Sequence, residues 1–163
     1  MGKRRDARRV VKWAVLANAV AVVSLCSAGA VVSDGSLNVL PVGSKTTVRT
    51  AWQQHTALVR RSLERGFYQG WDLHPAQLPS RYAATYAFYR EGLPAAAARL
   101  RDHAERSRHG QEEPATIKAL TTNVLRALDC GATNEQELTD STGLARQDLT
   151  FARRTGRLPT GGL

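Results

Sequence analysis

Apolar positions recur at helical spacing along most of this chain. Val48, Trp52, His55, Leu58, Val59 and Leu63 fall on one side of a helical wheel, while Arg49, Arg60, Arg61, Glu64 and Arg65 fall largely on the other. This spacing predicts an amphipathic helix that stops at Gly66, placed as a C′ glycine. Two short apolar runs depart from the helical period. Residues 37–42 are a short apolar run ended by Pro41 and Gly43, and residues 70–74, closed by Pro75, which cannot donate to a sheet ladder, are expected to be a strand of at most five residues. Pro79 then opens a helix in which Tyr82, Tyr86 and Tyr89 recur at i, i+4 and i+7, an aromatic stripe expected to face the core rather than a ligand. Gly92 and Pro94 are expected to break it from an alanine-rich helix ending near His109-Gly110. Pro114 opens another helix, whose stripe of Ile117, Leu120, Val124, Leu125 and Leu128 is stopped by Gly131 and needs a partner surface. Two short helices follow, 134–142 and 145 to about 154, joined at Gly143.

Charge and composition change the picture chiefly at the N-terminus. The formal net charge is +9, and residues 1–12 hold six basic residues, Lys3, Arg4, Arg5, Arg8, Arg9 and Lys12, against Asp6 alone. Residues 13–33 carry no charge. An apolar run of about 20 residues is long enough to span a bilayer. Ala28-Gly29-Ala30 fits a cleavage site, so the segment reads as a signal or an anchor; the competing readings are a buried helix leading into a strand and out-of-context translation upstream of a gene fragment. Cys26 and Cys130 sit in apolar surroundings without a second ligand at metal spacing and are expected to be small buried hydrophobes.

Gly66-Phe67 followed by Gly70-Trp71, Leu73-His74-Pro75 and Gln77 resembles the signature at the eighth strand of the HpcH/HpaI aldolase and citrate lyase β-subunit superfamily. Blocks from Ser33-Asp34-Gly35 to Leu128-Asp129-Cys130-Gly131 are closest to an uncharacterised aldolase-like branch. The resemblance implies a fold that is mainly α with two short strands: the last β/α units of a TIM (β/α)8 barrel plus C-terminal helices. The barrel would be incomplete, since a whole one needs about 250 residues and this chain has 163. The implied division is a basic and apolar segment over 1–32, barrel units over 33–92, a helical extension over 93–157 and a disordered tail over 158–163.

By resemblance, the full-length family would be carbon–carbon lyases using Mg2+ to stabilise an enolate, acting on acyl-CoA or 2-oxo-acid substrates in the cytoplasm. The strands that carry its metal carboxylates have no counterpart here, so the chain alone is expected to bind no metal, to hold no catalytic residue and to be inactive without a homo-oligomer or a partner supplying the missing barrel. A substrate-binding rim would comprise Asp34, Asp72, His74, Pro75 and Gln77. Against it, Asp34 reads as an Asx turn and His74 as a residue locking its turn through the backbone. Two other functions compete. One is a membrane-anchored or exported helical protein, with membrane contact through residues 13–33. The other is a helix-turn-helix module, in which Leu138, Gly143, Leu144 and Leu149 have the right spacing. Nucleic acid is disfavoured, because Arg146, Arg153, Arg154 and Arg157 are balanced by Glu135, Glu137, Asp140 and Asp148.

Overall fold

The computed structural model describes residues 33, 37–68, 70–108 and 113–159. Among these, five α-helices and one 3-10 turn make up the regular structure. Ser44 caps α1 (Lys45–Glu64), its hydroxyl accepting from the Thr47 amide at 3.2 Å. The helix buries Ala51, His55, Val59 and Leu63 and ends where Gly66 adopts φ +82°. A 3-10 turn, Pro75–Gln77, runs directly into α2 (Leu78–Arg108). The last three helices are α3 (Pro114–Asp129), α4 (Glu135–Thr142) and α5 (Arg146–Thr155).

At 31 residues, or about 46 Å at 1.5 Å per residue, α2 is the spine. It packs against α1 on one side and against α3 and α4 on the other, and α3 in turn packs against α5. The partner surface required by the stripe of α3 is therefore supplied within the chain. Ile117, Val124 and Leu125 join Leu93 and Leu100 of α2, Leu138 of α4 and Leu149 of α5 in one core. A smaller cluster, Val59, Leu63 and Ala84, fixes α1 to α2, and Phe88 packs against both cores.

The expected strands and barrel units are corrected. No strand is present at residues 70–74, which are irregular, and no sheet or barrel layer exists among the described residues; the other expected strand, near Ala30 to Ser33, lies outside them except for Ser33. A strand persists only where a neighbour satisfies its backbone groups. Here the amides of Leu73 and His74 donate instead to the Gln77 side chain, at 2.9 and 3.2 Å. The side-chain Nε2 of Gln77 donates to the Leu37 carbonyl at 2.9 Å.

Two further expectations fail in α2. Gly92 and Pro94 do not divide it; the helix continues through Pro94. Proline costs about 3 kcal/mol inside a helix, and burial of Leu93, Ala96, Ala97 and Leu100 around it outweighs that cost. The tyrosine stripe is not a core stripe either. Tyr89 is 3% exposed, whereas Tyr82 and Tyr86 are 69% and 47% exposed, because no helix among the described residues covers their side of α2. The signal or anchor reading of residues 13–33, except for Ser33, and the position of Asp34 lie outside the described residues. No helix among the described residues is long and apolar enough to cross a membrane.

Candidate functional site

The centre of polar organisation is a buried cluster between α1 and the start of α2. His55 projects from the apolar face of α1, and its Nε2 lies 2.9 Å from Asp72 Oδ1. The other carboxylate oxygen, Asp72 Oδ2, accepts from Arg81 Nε at 2.6 Å, while Arg81 Nη2 bonds Oδ1 at 2.8 Å. This two-pronged contact is the strong form of a carboxylate–guanidinium pair. Burial on its own would raise the pKa of Asp72, but the bonds and charge of Arg81, with those of His55, outweigh it and hold the carboxyl below its usual range. Burial lowers the pKa of His55; Asp72 opposes this and the Arg81 charge adds to it.

The Ser80 hydroxyl stands 2.8 Å from His55 Nδ1 and 2.9 Å from the Gln77 carbonyl oxygen, with one proton to serve both. On a neutral ring whose Nε2–H donates to Asp72, the hydroxyl proton goes to Nδ1. On a doubly protonated ring, Nδ1–H donates to Ser80 Oγ, and the hydroxyl turns to Gln77. Serine, histidine and aspartate in series resemble an activated nucleophile, but Ser80 is only 5% exposed and does not line the adjoining cleft. Asp72 also shares its charge with Arg81. The arrangement ties α1 to the 70–81 segment.

Gly70 belongs to the same arrangement for reasons of space. A Cβ there would overlap the Arg81 guanidinium. Trp52 Nε1 donates to the Ala76 carbonyl at 2.8 Å, a second tie from α1 to the 3-10 turn.

Beside this cluster lies a cleft of about 500 Å³ between α1 and α2, reaching the end of α3. Leu58, Val59, Leu63 and Phe67 give it an apolar wall, and Arg81, Tyr82, Thr85, Tyr89 and Arg126 give it polar groups. The guanidinium carbon of Arg126 sits 3.6 Å from the centroid of the Tyr68 ring, a stacked cation–π contact. Asp129, also in the cleft wall, is paired with Arg146 at 2.9 Å, and no carboxylate pairs with Arg126 among the described residues. Burial pushes the Tyr89 phenol up, with the nearby Arg126 charge pulling the other way.

Of the residues expected to form a substrate rim, Asp72, His74, Pro75 and Gln77 lie together in one turn. His74 Nδ1 accepts from the Ala76 amide at 3.1 Å, Pro75 opens the 3-10 turn, and Gln77 is fully buried. None of the four lines the cleft, which begins on the far side of His55 and Arg81. Half-buried Cys130 lines it; Cys26 lies outside the described residues.

No group of three His, Cys, Asp or Glu side chains among the described residues could hold a metal. Asp72 does not fit Mg2+ in this geometry, since Arg81 and His55 occupy both its oxygens. The residues the sequence reading passed over are His55, Ser80, Arg81 and Arg126. A histidine set among apolar residues on one helix face was the available signal for the first; the others depend on contacts distant in sequence.

The family model described as a domain of unknown function (DUF6986) matches residues 11–156. No curated protein matches. No solved structure matches. The aldolase and citrate-lyase resemblance is corrected accordingly: the matching family is another one, and residues 66–77, which carried the resemblance, form a helix end, an irregular segment and a 3-10 turn instead of a barrel strand. The lyase and aldolase assignments that depended on it fall with it.

Proposed function

We propose, since the chain belongs to the DUF6986 family over residues 11–156, that its helical domain binds a small organic anion in the cleft between α1 and α2. The observation that carries this reading is Arg126, a guanidinium set in the wall of a concave site without a carboxylate partner among the described residues. Its plane is fixed by the Tyr68 ring, so little side-chain freedom remains to be lost when an anion arrives. The cleft volume falls within the range of about 300–1,000 Å³ usual for small-molecule sites. The apolar wall of Leu58, Val59, Leu63 and Phe67 suits an aryl or branched-alkyl body, and Thr85 and Tyr82 offer hydroxyls for a second polar group. A carboxylate with an apolar tail meets all three requirements. Asp72 and His55 act from behind, fixing Arg81 as a neutralised pair so that Arg126 supplies the unmatched charge.

Isothermal titration calorimetry of the full chain with phenylpyruvate, benzoate and, as a neutral analogue, benzyl alcohol tests this reading. The carboxylates are expected to bind and the alcohol to bind at least about tenfold more weakly, the size of one charge-assisted hydrogen bond. Arg126→Gln should cost the carboxylates a similar factor. Equal affinity for acid and alcohol, or carboxylate binding unchanged in Arg126→Gln, would overturn it.

A further inference from the structure

The two C-terminal helices carry a second surface, which shares no lining residue with the cleft. Asn134 caps α4 by accepting from the Glu137 amide at 2.8 Å, Gly143 turns the chain at φ +74°, and three residues separate the end of α4 from the start of α5. Leu138, Leu144 and Leu149 meet beneath this turn, all essentially inaccessible. Two short helices joined by a tight glycine turn over a shared apolar wedge make a helix-turn-helix.

The charge balance of this tail is neutral in sequence, but its acids and bases are not evenly placed. Glu137 is held by Arg90 of α2 and by the Thr133 hydroxyl. Asp148 accepts from the Ala145 amide and is spent on the start of its own helix. Asp140 accepts from Gln136, and Glu135 and Asp129 flank Arg146. Arg153 and Arg154 are exposed, and no carboxylate pairs with them among the described residues. At 100° per residue, Gln147, Thr150 and Arg154 lie along the side of α5 opposite buried Leu149 and Ala152.

We propose that α5 is a reading helix for duplex DNA, entering the major groove with Gln147, Thr150 and Arg154 toward base edges and Arg153 toward phosphate. The partner follows from charge and shape. A major groove admits one helix, whereas that of duplex RNA is too deep and narrow. An amide, a hydroxyl with its methyl, and a guanidinium along one face are the groups that pair with adenine, thymine and guanine edges.

The test is fluorescence anisotropy with the full chain and a labelled random-sequence DNA duplex of about 30 base pairs at rising salt, beside a duplex RNA of equal length. The basic residues near the N-terminus could bind phosphate by themselves, so the comparison is with Arg153→Ala/Arg154→Ala, both exposed positions where the fold, checked by circular dichroism, should persist. The expected result is binding at low salt, weakened at least tenfold in the double variant, with the slope of log affinity against log salt smaller by about one phosphate contact. Selection from a randomised duplex pool should yield a preferred sequence whose preference is lost in Gln147→Ala. Absence of binding at low salt, an equal loss of RNA and DNA binding in the double variant, or a double variant that binds DNA like the parent would each overturn the assignment.

Discussion

Gln77 allows a sharp test of how the 70–77 segment is held without a sheet. Its side chain is completely buried; Oε1 accepts from two amides, and Nε2 donates to the Leu37 carbonyl at 2.9 Å and faces that of Val39 at 3.4 Å. Gln77→Glu keeps the acceptor but sets a carboxylate oxygen against two carbonyl oxygens. The lost bond is worth about 1 kcal/mol and the unpaired buried charge brings the total to about 3–5 kcal/mol. That is a large part of the 5–15 kcal/mol or so that holds a domain.

The same geometry predicts a pH signature. The introduced carboxyl has a folded-state pKa raised above its unfolded value of about 4.3. Its penalty is therefore absent below that value, where the protonated oxygen donates to Leu37, and grows as pH rises through the folded pKa, by about 1.4 kcal/mol per unit between the two. Urea denaturation followed by tryptophan fluorescence reads it, Trp52 being hydrogen-bonded to the turn at Ala76. Gln77→Leu should cost about 2–4 kcal/mol with no such pH dependence. A Gln77→Glu variant as stable as the parent near neutral pH, or a gap that does not close in acid, would refute the reasoning.

Other perturbations follow from neighbouring contacts. Burial depresses the pKa of His55 below 6.5, so its contribution to stability is complete above that value and is lost as pH falls through the folded pKa. His55→Gln should flatten the urea midpoint across that window, while the loss set by Asp72, whose pKa is also lowered, begins only below 3.8 in both proteins. Gly70→Ala should push Arg81 off Asp72 and cost about 1–3 kcal/mol, most of which should vanish in an Arg81→Ala background when the double-mutant cycle is closed. Pro94→Ala should stabilise the fold by about 1–3 kcal/mol, read as a higher urea midpoint, because Pro94 is exposed inside a continuous helix.

Features fixed by neighbouring residues were legible in the sequence. Gly66 and Gly143 both take the positive φ their places as helix stops require, and the Ile117, Leu120, Val124 and Leu125 face of α3 is buried as its spacing predicts. What depended on distant partners was not legible. Residues 70–74 have strand-like composition, but strand formation is decided by pairing, and the Gln77 side chain takes the backbone groups a neighbour would have used. Tyr82 and Tyr86 share a helical spacing with Tyr89, yet only the last meets a covering element. Pro94 shows the reverse, a local breaker overridden by the apolar residues on either side. The candidate site is of the same nonlocal kind. His55 finds Asp72 and Ser80 well along the chain, and Arg126 reaches the cleft from a helix that contributes little else to it.

The most direct measurement of the central claim is a titration of isotope-labelled full chain with phenylpyruvate, followed through the arginine Nε–Hε signals by NMR. Binding in the cleft predicts a saturable shift of the Arg126 signal, with accompanying changes at Tyr68 and Tyr89 and none at Arg153 or Arg154. An Arg126 signal that stays in place while the ligand binds, or shifts confined to residues outside the cleft, would contradict it.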